Sequence, residues 1–220
     1  MRGKIIQKIA SMPIFFQHDI DQNTRLAVWK IEEDENFFLK HVPLQRDITH
    51  PHKRLQHLAG RYLLKYLFPD FPLSLIRIAD TRKPFLEDEV YHFSISHCQD
   101  FAAVIVSPTK RVGVDVEMVS EKIGRIQHKF LSDDERRLLF TDESVMLKHA
   151  TLAWSCKEAM FKWYGKGEVD FRKHMVITAF QSNNAHYEIS AAFLKESGLL
   201  LDLQTKFFDG LCLSWMVTGE

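Results

Sequence analysis

Hydrophobic positions alternate with polar ones in several short runs of the chain, and in two longer stretches they recur every three to four residues. Residues 25–30 read as a strand, with Leu26 and Val28 on one side and Ala27 and Trp29 on the other. Thr49-His50-Pro51 has the form of a helix start, with proline in the first turn. The predicted helix runs to about Phe68. Leu55, Leu58, Ala59, Tyr62, Leu63 and Tyr66 fall on its apolar side, and Arg54, His57, Arg61 and Lys65 form a basic stripe on the other. Pro69 and Pro72 close it. Strands are predicted at about 74–79, 91–96, 101–107 and 111–119. Ser132 and Glu135 make an S-x-x-E capping box. It opens a helix over 133–140, followed by another over roughly 144–164 that ends near Gly165 or Gly167. The last third returns to β at 175–180, 186–191, 206–208 and 211–217, with turns at Ser182-Asn183-Asn184 and Asp209-Gly210. This order predicts an α+β protein of two comparable halves, 1–111 and 112–220.

Composition narrows the classes. Lys+Arg and Asp+Glu are both 29, so formal net charge is zero. Broad attraction to nucleic acid or an anionic membrane is not expected, and any anionic ligand would need a local basic cluster. Cys98, Cys156 and Cys212 are odd in number and form no CxxC, which fits a reducing cytoplasm better than a disulfide framework or zinc site. Residues 1–16 make a poor signal peptide, and no run approaches a membrane span.

Candidate chemistry begins at Arg111-Val112-Gly113-Val114-Asp115-Val116-Glu117. On a strand the valines share one face, and Gly113, Asp115 and Glu117 share the other. Two nearby carboxylates suit a Mg²⁺ ion that also takes phosphate oxygens, although a solvated edge is the commoner meaning of D-x-E. In Trp154-Ser155-Cys156-Lys157-Glu158-Ala159-Met160-Phe161-Lys162, helical spacing groups Trp154, Lys157, Glu158 and Phe161. Glu158 there is either a metal ligand or base, or the partner of Lys162 in an ordinary i,i+4 pair. Ser96 and His97 end a strand, where they can hold phosphate oxygens or simply cap it. Lys83-Pro84 lies in a polar turn.

Taken in order, these segments resemble the Sfp-type 4′-phosphopantetheinyl transferase superfamily. The hallmarks are an (I/V)-G-(I/V)-D-(I/V)-E strand, here 112–117, and a W-x-x-K-E-(A/S)-x-x-K helix, here 154–162. Ser94-Ile95-Ser96-His97 matches an upstream (N/S)-(I/V)-S-H. Arg82-Lys83-Pro84 matches a G-K-P turn except at Arg82, and Arg54 with Gly60-Arg61 suggests R-x(6)-G-R with one residue fewer in the spacer. The resemblance implies a pseudo-dimeric fold, in which each half packs a long helix on a small, mostly antiparallel sheet. It implies transfer of 4′-phosphopantetheine from coenzyme A to a serine of an apo carrier protein, with release of 3′,5′-ADP. Mg²⁺, or Mn²⁺, would be held by Asp115, Glu117 and Glu158. Glu158, Lys162, Lys157 and His97 would form the catalytic group. Arg54, Arg61, Lys83, Ser96, His97 and Lys162 would bind coenzyme A. A monomer would suffice, since both halves lie in one chain. The rivals are an NTP-dependent phosphoryl transferase, disfavoured by the lack of a G-x-x-x-x-G-K-[ST] loop, and a non-catalytic binder of carriers or coenzyme A.

Overall fold

The computed structural model describes residues 14–44, 46–195 and 198–219, so most of the segment considered as a leader lies outside them. The chain forms strands β1 (Ile14–Asp19) and β2 (Arg25–Lys30), helices α1 (Glu35–Leu39) and α2 (Pro51–Leu67), and a short hairpin of β3 (Arg77–Ile78) and β4 (Pro84–Phe85). Strands β5 (His92–Cys98), β6 (Phe101–Ser107) and β7 (Arg111–Met118) follow, then helices α3 (Glu121–Ile126), α4 (Asp133–Leu139) and α5 (Glu143–Tyr164). Strands β8 (Met175–Asn183), β9 (His186–Phe193), β10 (Leu199–Phe208) and β11 (Leu211–Thr218) complete the chain.

Most predicted elements form, and the differences have local causes. The strand expected at 74–79 becomes a 3₁₀ turn at Leu73–Leu75 and the two-residue β3. Pro72 begins that turn, and Arg77 and Ile78 are both exposed, so no apolar face pulls the segment into a sheet. Strand β8 outruns its predicted end because its outer residues are polar or exposed, whereas β10 begins earlier than predicted, at Leu199, and alternates buried Leu201, Leu203, Thr205 and Phe207 with more exposed neighbours. Helix α2 starts within Thr49-His50-Pro51, with His50 as its cap; the His50 ring accepts from the Lys53 N–H. The Ser132–Glu135 capping box forms in full. Gly165, at φ +76, ends α5 in the left-handed conformation that glycine takes freely.

Two antiparallel sheets, ordered β1-β2-β6-β5 and β7-β11-β10-β9-β8, form the frame. Helix α2 covers one face of the first, burying Leu58, Ala59, Leu63 and Leu64 against Trp29, Val104 and Val106. Helix α5 covers one face of the second, with Ala153, Cys156, Ala159 and Met160 against Met175, Leu203 and Met216. The remaining faces pack on each other: Leu26, Val28, Ala103 and Ile105 meet Val112, Val114, Val116 and Leu213. Among the described residues no helix is long and apolar enough to cross a membrane.

The two valine-bearing and carboxylate-bearing faces of β7 are therefore both covered. The valines point between the sheets, and Gly113, Asp115 and Glu117 point towards α5. Gly113 lets the helix approach: a Cβ there would stand 2.2 Å from the Ala159 carbonyl oxygen and 2.9 Å from Trp163 Cβ. The first clash is with backbone and cannot be relieved by a rotamer change. Gly113→Ala is expected to lower unfolding free energy by about 3 kcal/mol, the upper end for overpacking, as read from urea denaturation. A loss below ~0.5 kcal/mol would show that α5 does not sit this close.

Candidate active site

Strands β5 and β7 lie at the adjoining edges of the two sheets, and side chains rather than a backbone ladder join them. The Ser94 hydroxyl accepts from the Val114 N–H at 3.1 Å, and the Ser96 hydroxyl accepts from the Val116 N–H at 3.3 Å. Ser96 also donates to Asp115 Oδ1 at 2.8 Å and accepts from Lys162 Nζ at 2.8 Å. Lys162 Nζ reaches the same Asp115 Oδ1 at 2.6 Å. One buried serine thus links both sheets and α5. With one donor and two acceptor positions all used, its hydroxyl has nothing left for a phosphate. Ser96, expected as a coenzyme A contact, instead has its hydroxyl engaged by Asp115, Lys162 and the Val116 N–H here.

Asp115 is buried, and its second oxygen, Oδ2, has no hydrogen-bond partner. Across the gap, Glu158 is pushed up to about 7, mainly by burial; Lys162 opposes the rise, while Asp115 and Glu117 add to it. Glu117 is also raised, first by burial and then by Asp115, with hydrogen bonds from Cys98 and Trp154 opposing. The three carboxylates share one electrostatic environment. They do not form a closed cage: among the described residues no three His, Cys, Asp or Glu side chains converge enough to hold a metal ion. The donor set still fits Mg²⁺, which needs only one or two carboxylates beside phosphate oxygens and water. The orphaned Asp115 Oδ2 is the feature that such an ion would satisfy.

Next to the carboxylates lies an open basic cavity of about 550 Å³ lined by Arg46, Lys53, His57, Arg61, Arg82 and His97, with isoleucines between them. His57 Nε2 and Arg61 Nε are buried without partners. Burial, then Arg61 and Arg46, holds His57 down at about 3; burial and Arg46 bring Arg61 down to about 10. The buried Arg61 guanidinium, with an unmet Nε–H and with Arg46 nearby, makes a site complementary to an anion, and the neutral His57 beside it has an unmet ring nitrogen. His97 stands between the regions, within charge range of Lys162 and Asp115 on one side and Arg61 on the other.

Other expected residues lie elsewhere. Arg54 turns away from the cavity; its guanidinium meets Glu35 at 2.8 Å and the Ile48 carbonyl at 3.3 Å. Lys65 donates to the Pro69 carbonyl, so the basic stripe of α2 divides among three tasks. Lys83 lies not with Arg61 but in a smaller cavity of about 140 Å³ shared with Glu158 and Lys162. There burial, then Arg111, brings it down to about 8.

Lys157 departs furthest. It is fully buried, with Nζ 2.6 Å from Glu135 Oε1, 2.6 Å from the Phe130 carbonyl and 3.0 Å from the Phe171 carbonyl. All three of its N–H donors are used, on the side of α5 away from Asp115. One residue of helix turns a side chain by about 100°, so adjacent Lys157 and Glu158 diverge rather than share a face. Glu135 also accepts from Ser132 N–H at 2.8 Å and Ile177 N–H at 3.0 Å. This pair locks α4, α5 and β8 together, and its contacts are structural. Arg46, Lys53, His57 and Arg82 were not singled out as ligand contacts; Arg46 precedes a helix in coil, where no periodicity marks it.

Residues 111–206 match the family model described as the 4′-phosphopantetheinyl transferase superfamily. That segment is similar to this superfamily. It contains β7, α5 and all three carboxylates. Enterobactin synthase component D of Salmonella austin is 31% identical over 111 residues, which is 50% of this chain and 47% of that protein. The protein of that name in Escherichia coli (strain K12) is 31% identical over 113 residues, 50% and 54% of the two chains. The 4′-phosphopantetheinyl transferase gsp of Aneurinibacillus migulanus is 29% identical over 111 residues, 50% and 46% of the two chains. The matches thus span about half the length of these curated relatives.

Lys157→Met is expected to cost about 3–5 kcal/mol in denaturant unfolding, because it leaves Glu135 charged and buried. A fold as stable as wild type, with activity alone lost, would return Lys157 to the catalytic group.

Proposed function

We propose that this protein transfers 4′-phosphopantetheine from coenzyme A to a serine of an apo acyl, peptidyl or polyketide carrier protein. The observation that carries this reading is the adjacency of two unmet demands: a carboxylate cluster with an orphaned Asp115 oxygen, and a basic cavity in which the buried Arg61 guanidinium has an unmet donor. A ligand bearing a diphosphate and a separate phosphomonoester complements both. The similarity of residues 111–206 to the 4′-phosphopantetheinyl transferase superfamily, and to the transferase gsp of Aneurinibacillus migulanus, supports the same chemistry.

The two helix-on-sheet units are proposed to be pseudo-dimeric halves, with the coenzyme A cleft along the β5–β7 seam, so that a monomer suffices. The adenosine and 3′-phosphate end lies with Arg61, His57 and Arg46. The diphosphate reaches Lys162, His97 and Lys83. Asp115, with Glu117 and Glu158 beside it, would hold Mg²⁺, which would supply neutralising charge to the diphosphate oxygens. The carrier serine Oγ attacks the phosphorus that bears pantetheine. The phosphoanhydride bond breaks, and its electron pair leaves with 3′,5′-ADP. Lys162 stabilises charge on the phosphoryl oxygens. Glu158, the carboxylate on α5 that faces the cluster, accepts the serine proton. Positioning by Ser96 keeps Lys162 and Asp115 in register.

Purified protein mixed with coenzyme A, Mg²⁺ and a panel of apo carriers should add one phosphopantetheine to a single serine, read as intact carrier mass. Asp115→Asn and Glu158→Gln should lower that rate by at least roughly 10²–10³ while melting as wild type does. EDTA should stop the reaction and added Mg²⁺ restore it. Coenzyme A left unconsumed with every carrier would remove the reading.

A further inference from the structure

Residues 79–84 form the turn between β3 and β4. The Arg82 N–H donates to the Ala79 carbonyl at 2.8 Å, and the Ala79 N–H donates to the Lys83 carbonyl at 2.9 Å. Arg82 has φ +66, in the left-handed region where a Cβ crowds the backbone. The G-K-P pattern pairs this position with glycine, which would satisfy the turn without that crowding. The neighbours on both sides are pinned to the end of α5. Thr81 donates its hydroxyl to the Gly165 carbonyl at 3.2 Å, and Lys83 Nζ donates to the Trp163 carbonyl at 3.4 Å. The turn is over-determined, which is how a strained residue persists.

That conformation puts Arg82 in a particular place. It is exposed and lines both the basic cavity of Arg61 and the smaller cavity of Glu158 and Lys162. Only Pro84 and Ile95 also belong to both walls, and neither carries charge. Among the described residues no carboxylate pairs with Arg82, unlike Arg54, which Glu35 neutralises. A phosphate chain passing from one cavity to the other must cross this wall. A guanidinium fork there can grip two phosphoryl oxygens at once.

We propose that Arg82 is a substrate-binding cation gripping the diphosphate where it passes between the cavities, and that the strained backbone is kept for this contact. The assignment rests on the coenzyme A reading above and adds to it a residue at a position that the resemblance assigns to glycine.

Calorimetric titration of coenzyme A and, separately, inorganic pyrophosphate into wild type, Arg82→Asn, Arg82→Gly and Arg82→Lys tests it. Asparagine and glycine both tolerate φ > 0, so these two variants keep the turn. Both should melt at or above the wild-type midpoint yet bind each probe about tenfold more weakly, as loss of a charged hydrogen-bond donor predicts. Lysine should fall between. Coenzyme A binding within twofold of wild type in the asparagine and glycine variants would overturn the proposal, leaving the coenzyme A reading intact. Arg82-dependent pyrophosphate binding without coenzyme A binding would keep Arg82 as a diphosphate contact and sink the coenzyme A reading. Wild type that binds neither probe would overturn both.

Discussion

Two edge strands that share no backbone ladder among the described residues are held side by side by two serine hydroxyls, and the site is built on that seam. An edge strand presents unpaired N–H groups that must find partners once buried. Here Ser94 and Ser96 supply them for Val114 and Val116, at a constant offset of twenty residues. Ser96 then uses its proton on Asp115 and its second lone pair on Lys162. The bond that closes the two sheets together is also the one that fixes a carboxylate and an ammonium from different elements. Each buried N–H left without its hydroxyl would cost about 1–3 kcal/mol, so the seam and the site stand or fall together.

The charge pattern along the seam is divided. Carboxylates gather beneath α5, and cations gather beneath α2 and the β3–β4 turn. Each group is held in an unfavourable state: Glu158 raised, His57 and Arg61 lowered, and three buried polar atoms without partners. Such strain costs stability unless a ligand offsets it, and perturbed groups that cluster in a cleft mark a functional site. By contrast the Lys157–Glu135 pair, equally buried, has its ammonium donors fully satisfied and faces core on every side. The difference between a structural and a functional buried charge is visible in whether its partners are complete.

The long helices, the capping box, β7 and the β10–β11 turn were legible because each depends on local periodicity or turn chemistry. The D-x-E and W-x-x-K-E patterns also located the three carboxylates. What periodicity could not show was which cation faces which cavity. Arg54 and Arg61 lie on the same predicted stripe, yet Glu35 captures the first and leaves the second unpaired. Lys157 and Glu158 are neighbours in sequence, yet α4 claims one and β7 faces the other. Arg46 sits in coil, and Arg82 enters the site through a left-handed backbone angle. These placements are set by contacts between segments far apart in sequence, which no local pattern encodes.

The central claim, that one ligand spans the basic cavity and the carboxylates across the β5–β7 seam, is tested most directly by a crystal structure with coenzyme A and Mg²⁺. The account predicts the adenosine phosphate among Arg46, His57 and Arg61, with the diphosphate beside Lys162 and an ion on Asp115 Oδ2. Coenzyme A bound away from this seam, with Asp115 Oδ2 still unpartnered, would contradict it.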